Sequence, residues 1–357
     1  MFKRYIFFLL SLGFLLSCEK ASTIKHGIVY KEDGRFAGWP ANNGIWSWRN
    51  EIVVGFTLGY FKIKTGHAID PDKPSAPRFA RSLDGGETWA IEIPNFLDEN
   101  GKEPEAFECP GDFDFTHPDF AMRLKMGRFY ISMDRCKTWQ GPFKIPDFGR
   151  PAILARTDYI VNGKHDLMAF MASAKDDGKE GWPFCARTQD GAKSWQFISW
   201  IGPQPAEGGY AIMPSTVRLS DTGLLTMIRR KGIIGEKRSY WIEAFTSQNN
   251  GQSWKLINKP VETNEGNPGH MIRLQDGRLL LTYGHRAAPF GIRAKLSSDE
   301  GQTWSKEIIL RDDGGNWDLG YPRTVQRPDG KVVVAYYFNE HENTERYIAY
   351  TIWDPVL

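Results

Sequence analysis

Ser297-Ser298-Asp299-Glu300-Gly301-Gln302-Thr303-Trp304 is one copy of a repeat. The same S-x-D-x-G-x-T-W pattern reads SLDGGETW from Ser82 to Trp89, SMDRCKTW from Ser132 to Trp139, TQDGAKSW from Thr188 to Trp195 and SQNNGQSW from Ser247 to Trp254. Successive closing tryptophans stand 50, 56, 59 and 50 residues apart. A period of that size is what one blade of four short strands in a β-propeller needs. Each copy has a mechanical reading. The Asp or Asn caps backbone N–H groups in a tight turn, the Gly takes a conformation closed to most residues, and the Trp fills the space between blades. These residues are architecture, and they place any active site elsewhere.

Working outward, a strand-like run precedes each copy: Glu51–Tyr60, Arg128–Ser132, Asp166–Ala172, Gly223–Ile228 and Arg278–Tyr283. SDTG, QDGR and PDGK read as hairpin turns inside blades. After the fifth copy one more blade runs from Tyr321 to Trp353, without the motif and too short for four strands. His26–Lys31 has nothing local to pair with, so it is expected to supply the missing outer strand and close the ring. The fold class is therefore all-β, a six-bladed propeller. Seven blades is the alternative if Glu105–Phe120 hides a strand pair.

At the amino end, Lys3 and Arg4 precede an apolar run from Tyr5 to Leu16 that ends in Leu15-Leu16-Ser17-Cys18. The pattern resembles a bacterial lipoprotein signal, with residues 1–17 removed, lipid on Cys18 and residues 18–25 as a tether. The apolar run is too short to span a bilayer. The expected location is outside the cytoplasm, at the outer membrane or the periplasmic face of the cell membrane. Losing Lys3 and Arg4 takes the formal net charge from +2 to zero, which leaves no basic field for nucleic acid. About 340 residues then remain for a single propeller domain, 26–357, expected as a monomer. Cys109, Cys136 and Cys185 allow one disulfide at most, with Cys109–Cys136 a conceivable pair. No metal-ligand spacing occurs and no cofactor is expected.

In a propeller the ligand site lies on the axis, where inner strands begin and end. Trp39, Asn42 and Asn43 enter blade one there, His117 and Asp119 blade two, Arg150 blade three, Ser215 blade four, His270 blade five, and Tyr321 with Arg323 blade six. Tyr60 and His67, Arg229 and Arg230, Tyr283, His285 and Arg286, and Tyr337 with Asn339 leave there. Four of the seven histidines, His67, His117, His270 and His285, fall in these segments. Converging histidines suit proton transfer.

The repeat is the Asp box of the sialidase-like (BNR repeat) β-propellers, and the chain resembles that superfamily over nearly its whole length. RLSDTGLLTMIRR (Arg218–Arg230) resembles the stretch that carries a carboxylate-binding arginine, which makes it Arg229. GYPRTVQRPDGKVVVAYY (Gly320–Tyr337) resembles the segment of the tyrosine nucleophile, which makes it Tyr321. Arg286 in YGHRAAPFGIRAKLS stands for the third arginine, and Asp70 or Asp72 in GHAIDPDKPSAPRFARS for the general acid. Two positions depart. Gly38-Trp39-Pro40 stands where an arginine precedes Ile-Pro, with Arg35 three residues early. Met213 stands where a glutamate activates the tyrosine.

The resemblance implies a carbohydrate-active enzyme on an oligosaccharide. Ordinary glycoside hydrolysis uses two carboxylates, or a tyrosine with an activating acid. The His/Tyr/Arg set instead favours β-elimination at terminal, uronate-containing residues, as a lyase or dehydratase. Arginines would offset the carboxylate, and tyrosine and histidine would move protons. The expected catalytic residues are Tyr321, His270, His285 and Asp70, with Arg229, Arg286, Arg323, His67, His117 and Trp39 binding substrate. An exo-glycosidase of sialidase type using Asp70 and Tyr321 is the alternative, and a glycan-binding propeller without catalysis the third.

Overall fold

The computed structural model describes residues 24–263 and 266–355. The signal segment, the lipid attachment at Cys18 and nearly all of the tether lie outside the described residues. Among them, strands account for all the regular structure apart from one 3-10 turn, Pro40–Asn42.

The first strand, β1 (Lys25–Tyr30), is held for the last blade. Blade one consists of β2 (Arg35–Gly38), β3 (Ile45–Trp48), β4 (Glu51–Tyr60), β5 (Ala76–Ser82) and β6 (Ala90–Glu92). β2 and β3 pair with opposite ends of β4, so they form one inner strand interrupted by the turn. Blade two has three strands, β7 (Ala121–Lys125), β8 (Arg128–Ser132) and β9 (Gln140–Lys144). Blade three comprises β10 (Tyr159–Gly163), β11 (Asp166–Ala174), β12 (Glu180–Thr188) and β13 (Gln196–Trp200). Blade four comprises β14 (Tyr210–Arg218), β15 (Leu224–Ile234), β16 (Lys237–Ser247) and β17 (Lys255–Val261). Blade five comprises β18 (Gly269–Arg273), β19 (Leu279–His285), β20 (Phe290–Ser297) and β21 (Ile308–Gly314). Blade six comprises β22 (Gly320–Gln326), β23 (Val332–Phe338) and β24 (Tyr347–Trp353), with β1 as its outer strand.

Closure follows the expectation: β1 runs antiparallel to β24, with Lys25 opposite Ile352 and His26 opposite Thr351. Among the described residues there are six sheets and no seventh. Between Glu105 and Phe120 only Phe107 bridges a neighbour, alongside Phe143. In the other box-bearing blades the box joins the third strand to the fourth. In blade two it joins β8 to β9, so β7 occupies the second position and the innermost strand is missing. Blades one and three meet across that gap. The Thr157 hydroxyl accepts from the Leu124 amide at 3.2 Å and donates to the Asn43 carbonyl at 2.9 Å.

The boxes behave as their residues dictate. Asp84 accepts from the Thr88 amide at 2.9 Å and the Thr88 hydroxyl at 2.6 Å, and the Trp89 indole donates to the Gly86 carbonyl at 3.0 Å. Asp299, Thr303, Trp304 and Gly301 repeat the arrangement. Each box tryptophan packs on the preceding blade. Trp139 stacks on Phe79 at 5.4 Å, Trp195 meets Phe129 at 5.7 Å, and Trp89 meets Tyr350 at 6.3 Å. Blade six has no box, and Trp353, 2% exposed, lies in the core between blades five and six. Cys136 takes the glycine position with φ 65°, a left-handed conformation costly to a side chain. Cys109, Cys136 and Cys185 are all buried free thiols, so the conceivable Cys109–Cys136 bridge is not formed.

Candidate functional site

Arg229 on β15 and Tyr321 on β22 come from different blades and meet in the core. Arg229 Nη1 donates to the Tyr321 hydroxyl at 2.8 Å. The guanidiniums of Arg229 and Arg286 lie 5.4 and 5.3 Å from the Tyr321 ring. Tyr321 holds φ 50°, which its surroundings impose. Its amide donates to Asn267 Oδ1 at 2.9 Å, and Asn267 Nδ2 donates to the Leu319 carbonyl at 2.8 Å. Gly320 precedes it because a Cβ there would fall 2.2 Å from Asn267 Nδ2. Burial alone would raise the Tyr321 phenol, but the charges of Arg229 and Arg286 and the hydrogen bond from Arg229 outweigh it and hold the pKa below its ordinary value. Met213 sits where an activating carboxylate was absent from the sequence, its sulfur 3.6 Å from Arg229 Nη1.

Arg229 and Arg286 also line a cavity of about 550 Å³; Tyr321, 8% exposed, touches both arginines without itself lining it. Arg229, Arg286 and His67 supply its polar groups, and Tyr210, Tyr240, Phe290 and Trp317 its aromatic walls. Among the described residues no carboxylate lines it. Arg286 is braced by the Leu319 and Gly266 carbonyls at 3.1 and 3.2 Å and by the Tyr337 hydroxyl at 2.7 Å. A carboxylate entering here meets two guanidiniums in a largely apolar chamber, where charge-assisted hydrogen bonds are strongest.

His67 faces the same cavity from the loop after β4, its side chain 34% exposed. Its Nδ1 lies 2.5 Å from Asp318 Oδ1. Asp318 is fully buried and also accepts from the Tyr337 hydroxyl at 2.8 Å, the Ala68 amide at 3.0 Å and Arg346 Nε at 3.0 Å. Burial opposes its ionisation, but the His67 hydrogen bond and charge, the Ala68 amide and Arg346 more than offset it and hold the carboxyl well below the usual range. A permanent carboxylate on Nδ1 fixes that nitrogen as a donor and leaves Nε2 to exchange protons with the cavity.

The remaining expected residues fall elsewhere. Trp39, with φ 59°, packs edge-on against His67 at 5.3 Å and braces it. Asp70 lies outside the cavity wall and is ion-paired with Lys62 at 3.1 Å. Desolvation opposes its ionisation, yet the Asp72 amide and Lys62 hold its pKa below the ordinary value, the wrong direction for a general acid. His117 is exposed and accepts from the Asp119 amide, while Asp119 pairs at 2.6 Å with Arg135 of the second box. It therefore lies on the box side, because blade two lacks the inner strand that would have carried it to the other face. His270 accepts from the Thr324 amide at 3.0 Å, and burial followed by the nearby Arg323 charge lowers its pKa well below the ordinary value. It joins blades five and six. His285 ends β19 and Arg286 beside it takes the place in the cavity wall. Arg323 is on the axis, donating at 2.7 Å to both the Ala41 and Thr157 carbonyls. Among the described residues no cluster of three His, Cys, Asp or Glu side chains could hold a metal ion.

Comparison with known proteins agrees with this architecture. The model of the BNR repeat-like domain matches residues 116–334. No curated protein matches the sequence. Among solved structures, a protein of unknown function from Dyadobacter fermentans superposes with a TM-score of 0.69 at 22% identity, covering 93% of this chain and 99% of that one. A Penicillium chrysogenum α-L-arabinanase complexed with arabinobiose gives 0.62 at 14%, covering 92% and 98%. A Trypanosoma rangeli sialidase in complex with sialic acid gives 0.58 at 12%, covering 93% and 59%. At such identities the likeness establishes the fold, a sialidase-like propeller. With its family model matched across more than half its length, the chain belongs to the BNR repeat-like domain family.

Proposed function

We propose that this protein is a glycoside hydrolase that removes a carboxylate-bearing sugar from the end of an oligosaccharide. One observation carries the reading: a buried tyrosine of lowered pKa, hydrogen-bonded to one of two arginines that also face a sugar-sized cavity. The arabinanase and sialidase of the same fold, complexed with arabinobiose and sialic acid, support a sugar ligand. Arg229 and Arg286 hold the carboxylate. Tyr321, as phenolate, attacks the anomeric carbon, and the bond to the departing oxygen breaks as His67 Nε2 gives that oxygen a proton. His67 then takes a proton from water, the resulting hydroxide attacks the same carbon, and Tyr321 leaves as phenolate. A tyrosine avoids the repulsion that a carboxylate nucleophile would meet from the substrate's own carboxylate.

A second reading, β-elimination, is favoured by Met213, which leaves Tyr321 without an acid partner on that side. In that reaction Tyr321 takes the proton next to the uronate carboxylate and His67 protonates the leaving oxygen, with no water consumed. Mass spectrometry of products from acidic oligosaccharides separates the two. Hydrolysis gives products that together have gained one water; an unsaturated uronate without that gain replaces the first reading by the second. Lipid on Cys18 would hold the enzyme at a membrane face outside the cytoplasm, which two acyl chains suffice to do. Release of Cys18→Ser protein from membrane fractions is the expected result, and unchanged fractionation contradicts it.

A further inference from the structure

A second cavity, of about 690 Å³, opens between blade one and residues 100–103 that lead into blade two, with Lys125 of β7 on its wall. Arg35, Arg78, Lys102 and Lys125 line it, against a single carboxylate, Glu103. Glu103 is already engaged, by Lys125 at 2.8 Å, the Tyr130 hydroxyl at 2.6 Å and Arg123 at 3.4 Å. Arg35 and Arg78 have no carboxylate partner among the described residues. Arg35 Nε donates to the Gly59 carbonyl at 2.8 Å, with its guanidinium 4.4 Å from the Tyr60 ring centre. Arg78 Nη1 donates to the Pro77 carbonyl at 2.8 Å. Lys73 stands 4.8 Å from the same Tyr60 ring. Arg35 and Lys73 crowd one tyrosine, Arg78 lines the same cavity, and burial together with the Arg35 charge lowers the Arg78 pKa. Such an arrangement is stabilised when an anion enters.

The position of the cavity says which anion. The loop between β4 and β5 borders both cavities: His67 faces the central one, while Tyr60, Pro74 and Ser75 line the second. An oligosaccharide whose end lies beside Tyr321 has one loop to cross before its next residues meet Arg35 and Arg78.

We propose that Arg35 and Arg78, with Lys102 at the rim, form a second anion-binding subsite that takes the oxyanion of an inner sugar, a uronate carboxylate or a sulfate ester. The sugar in this inference rests on the proposed function; the anion rests on the charges alone. Calorimetric titration of the full-length chain tests it with three probes: glucuronate, a uronate tetrasaccharide, and a sulfated neutral tetrasaccharide. The Arg35→Gln/Arg78→Gln double variant is expected to bind a tetrasaccharide about 10- to 100-fold more weakly, the size of lost charge-assisted hydrogen bonds, with glucuronate affinity unchanged. A loss confined to the uronate chain identifies a carboxylate, and a loss confined to the sulfated chain a sulfate ester. Unchanged affinity for both tetrasaccharides overturns the proposal, as does an equal loss for glucuronate, which would mean that the arginines only support the fold. Should the double variant fail to fold, Lys102→Glu on the exposed loop serves instead, with weaker tetrasaccharide binding and a shallower salt dependence expected and no change overturning the proposal. A wild-type chain that ignores glucuronate while its tetrasaccharide binding still depends on Arg35 and Arg78 would fail the proposed function and leave this subsite standing.

Discussion

Asp318 never touches the cavity, yet it decides what His67 can do there. Asp318→Asn keeps the size of the side chain and removes its charge, so His67 loses both its fixed tautomer and the partner for its charged form. Turnover is expected to fall about 10²–10⁴-fold with substrate affinity little changed, measured as kcat against KM. Asp158 makes a different claim, on stability. It is 9% exposed and bound by the Thr216 amide and hydroxyl, and burial pushes its carboxyl up to about 7 against the opposing charge of Arg323. An acid raised in the folded state contributes stability in full below its unfolded pKa and loses it as pH rises through the folded one. The stability difference between wild type and Asp158→Asn should therefore shrink by up to about 4 kcal/mol from pH 4 to pH 8 in denaturant melts. A flat difference would show that Arg323 keeps Asp158 ionised throughout. Arg229, Arg286 and Tyr321 were legible from sequence because each stands in a recognisable stretch, Arg229 within β15, Arg286 just after β19 and Tyr321 at the start of β22. The pairing of His67 with Asp318 was not, since 251 residues separate its members. Asp70 misled because its partner Lys62 lies in the same loop and takes up its charge.

At the scale of the strand and the box, the repeat carries the fold through the seams between blades. Trp139, 4% exposed, stacks on Phe79 and meets Trp46 at 5.4 Å. Trp139→Ala empties that seam and is expected to cost about 3–5 kcal/mol in urea unfolding. None of the rings that Trp139 packs against lines the central cavity, so the surviving folded protein should keep its turnover. Strand limits came close from sequence. β4 and β8 match the expected runs, and β11, β15 and β19 run past them at the carboxyl end because the cross-strand ladder continues after the apolar pattern fades. The missing inner strand of blade two was not legible, because the second box occurs on schedule whether or not a strand precedes β7. With that strand absent, His117 lies beside the second box.

The whole molecule is a ring closed by its own amino end. His26 Nδ1 lies 2.9 Å from Thr351 Oγ1, and that hydroxyl is 2.7 Å from the Tyr336 hydroxyl. A chain starting at Lys31 exposes the edge of β24, and size-exclusion chromatography is expected to show association in place of a single species. Closure was legible because a blade one strand short at one end matched a lone strand at the other. The ring also gathers the site, with His67 from blade one, Arg229 from four, Arg286 from five and Tyr321 from six, none of them able to act alone. The most direct test of that shared pocket is the turnover of a carboxylate-bearing oligosaccharide by Tyr321→Phe, measured beside its affinity for the free uronate. Turnover should fall by at least about 10²–10⁴-fold while the uronate still binds through Arg229 and Arg286; turnover within a few-fold of wild type would contradict the account.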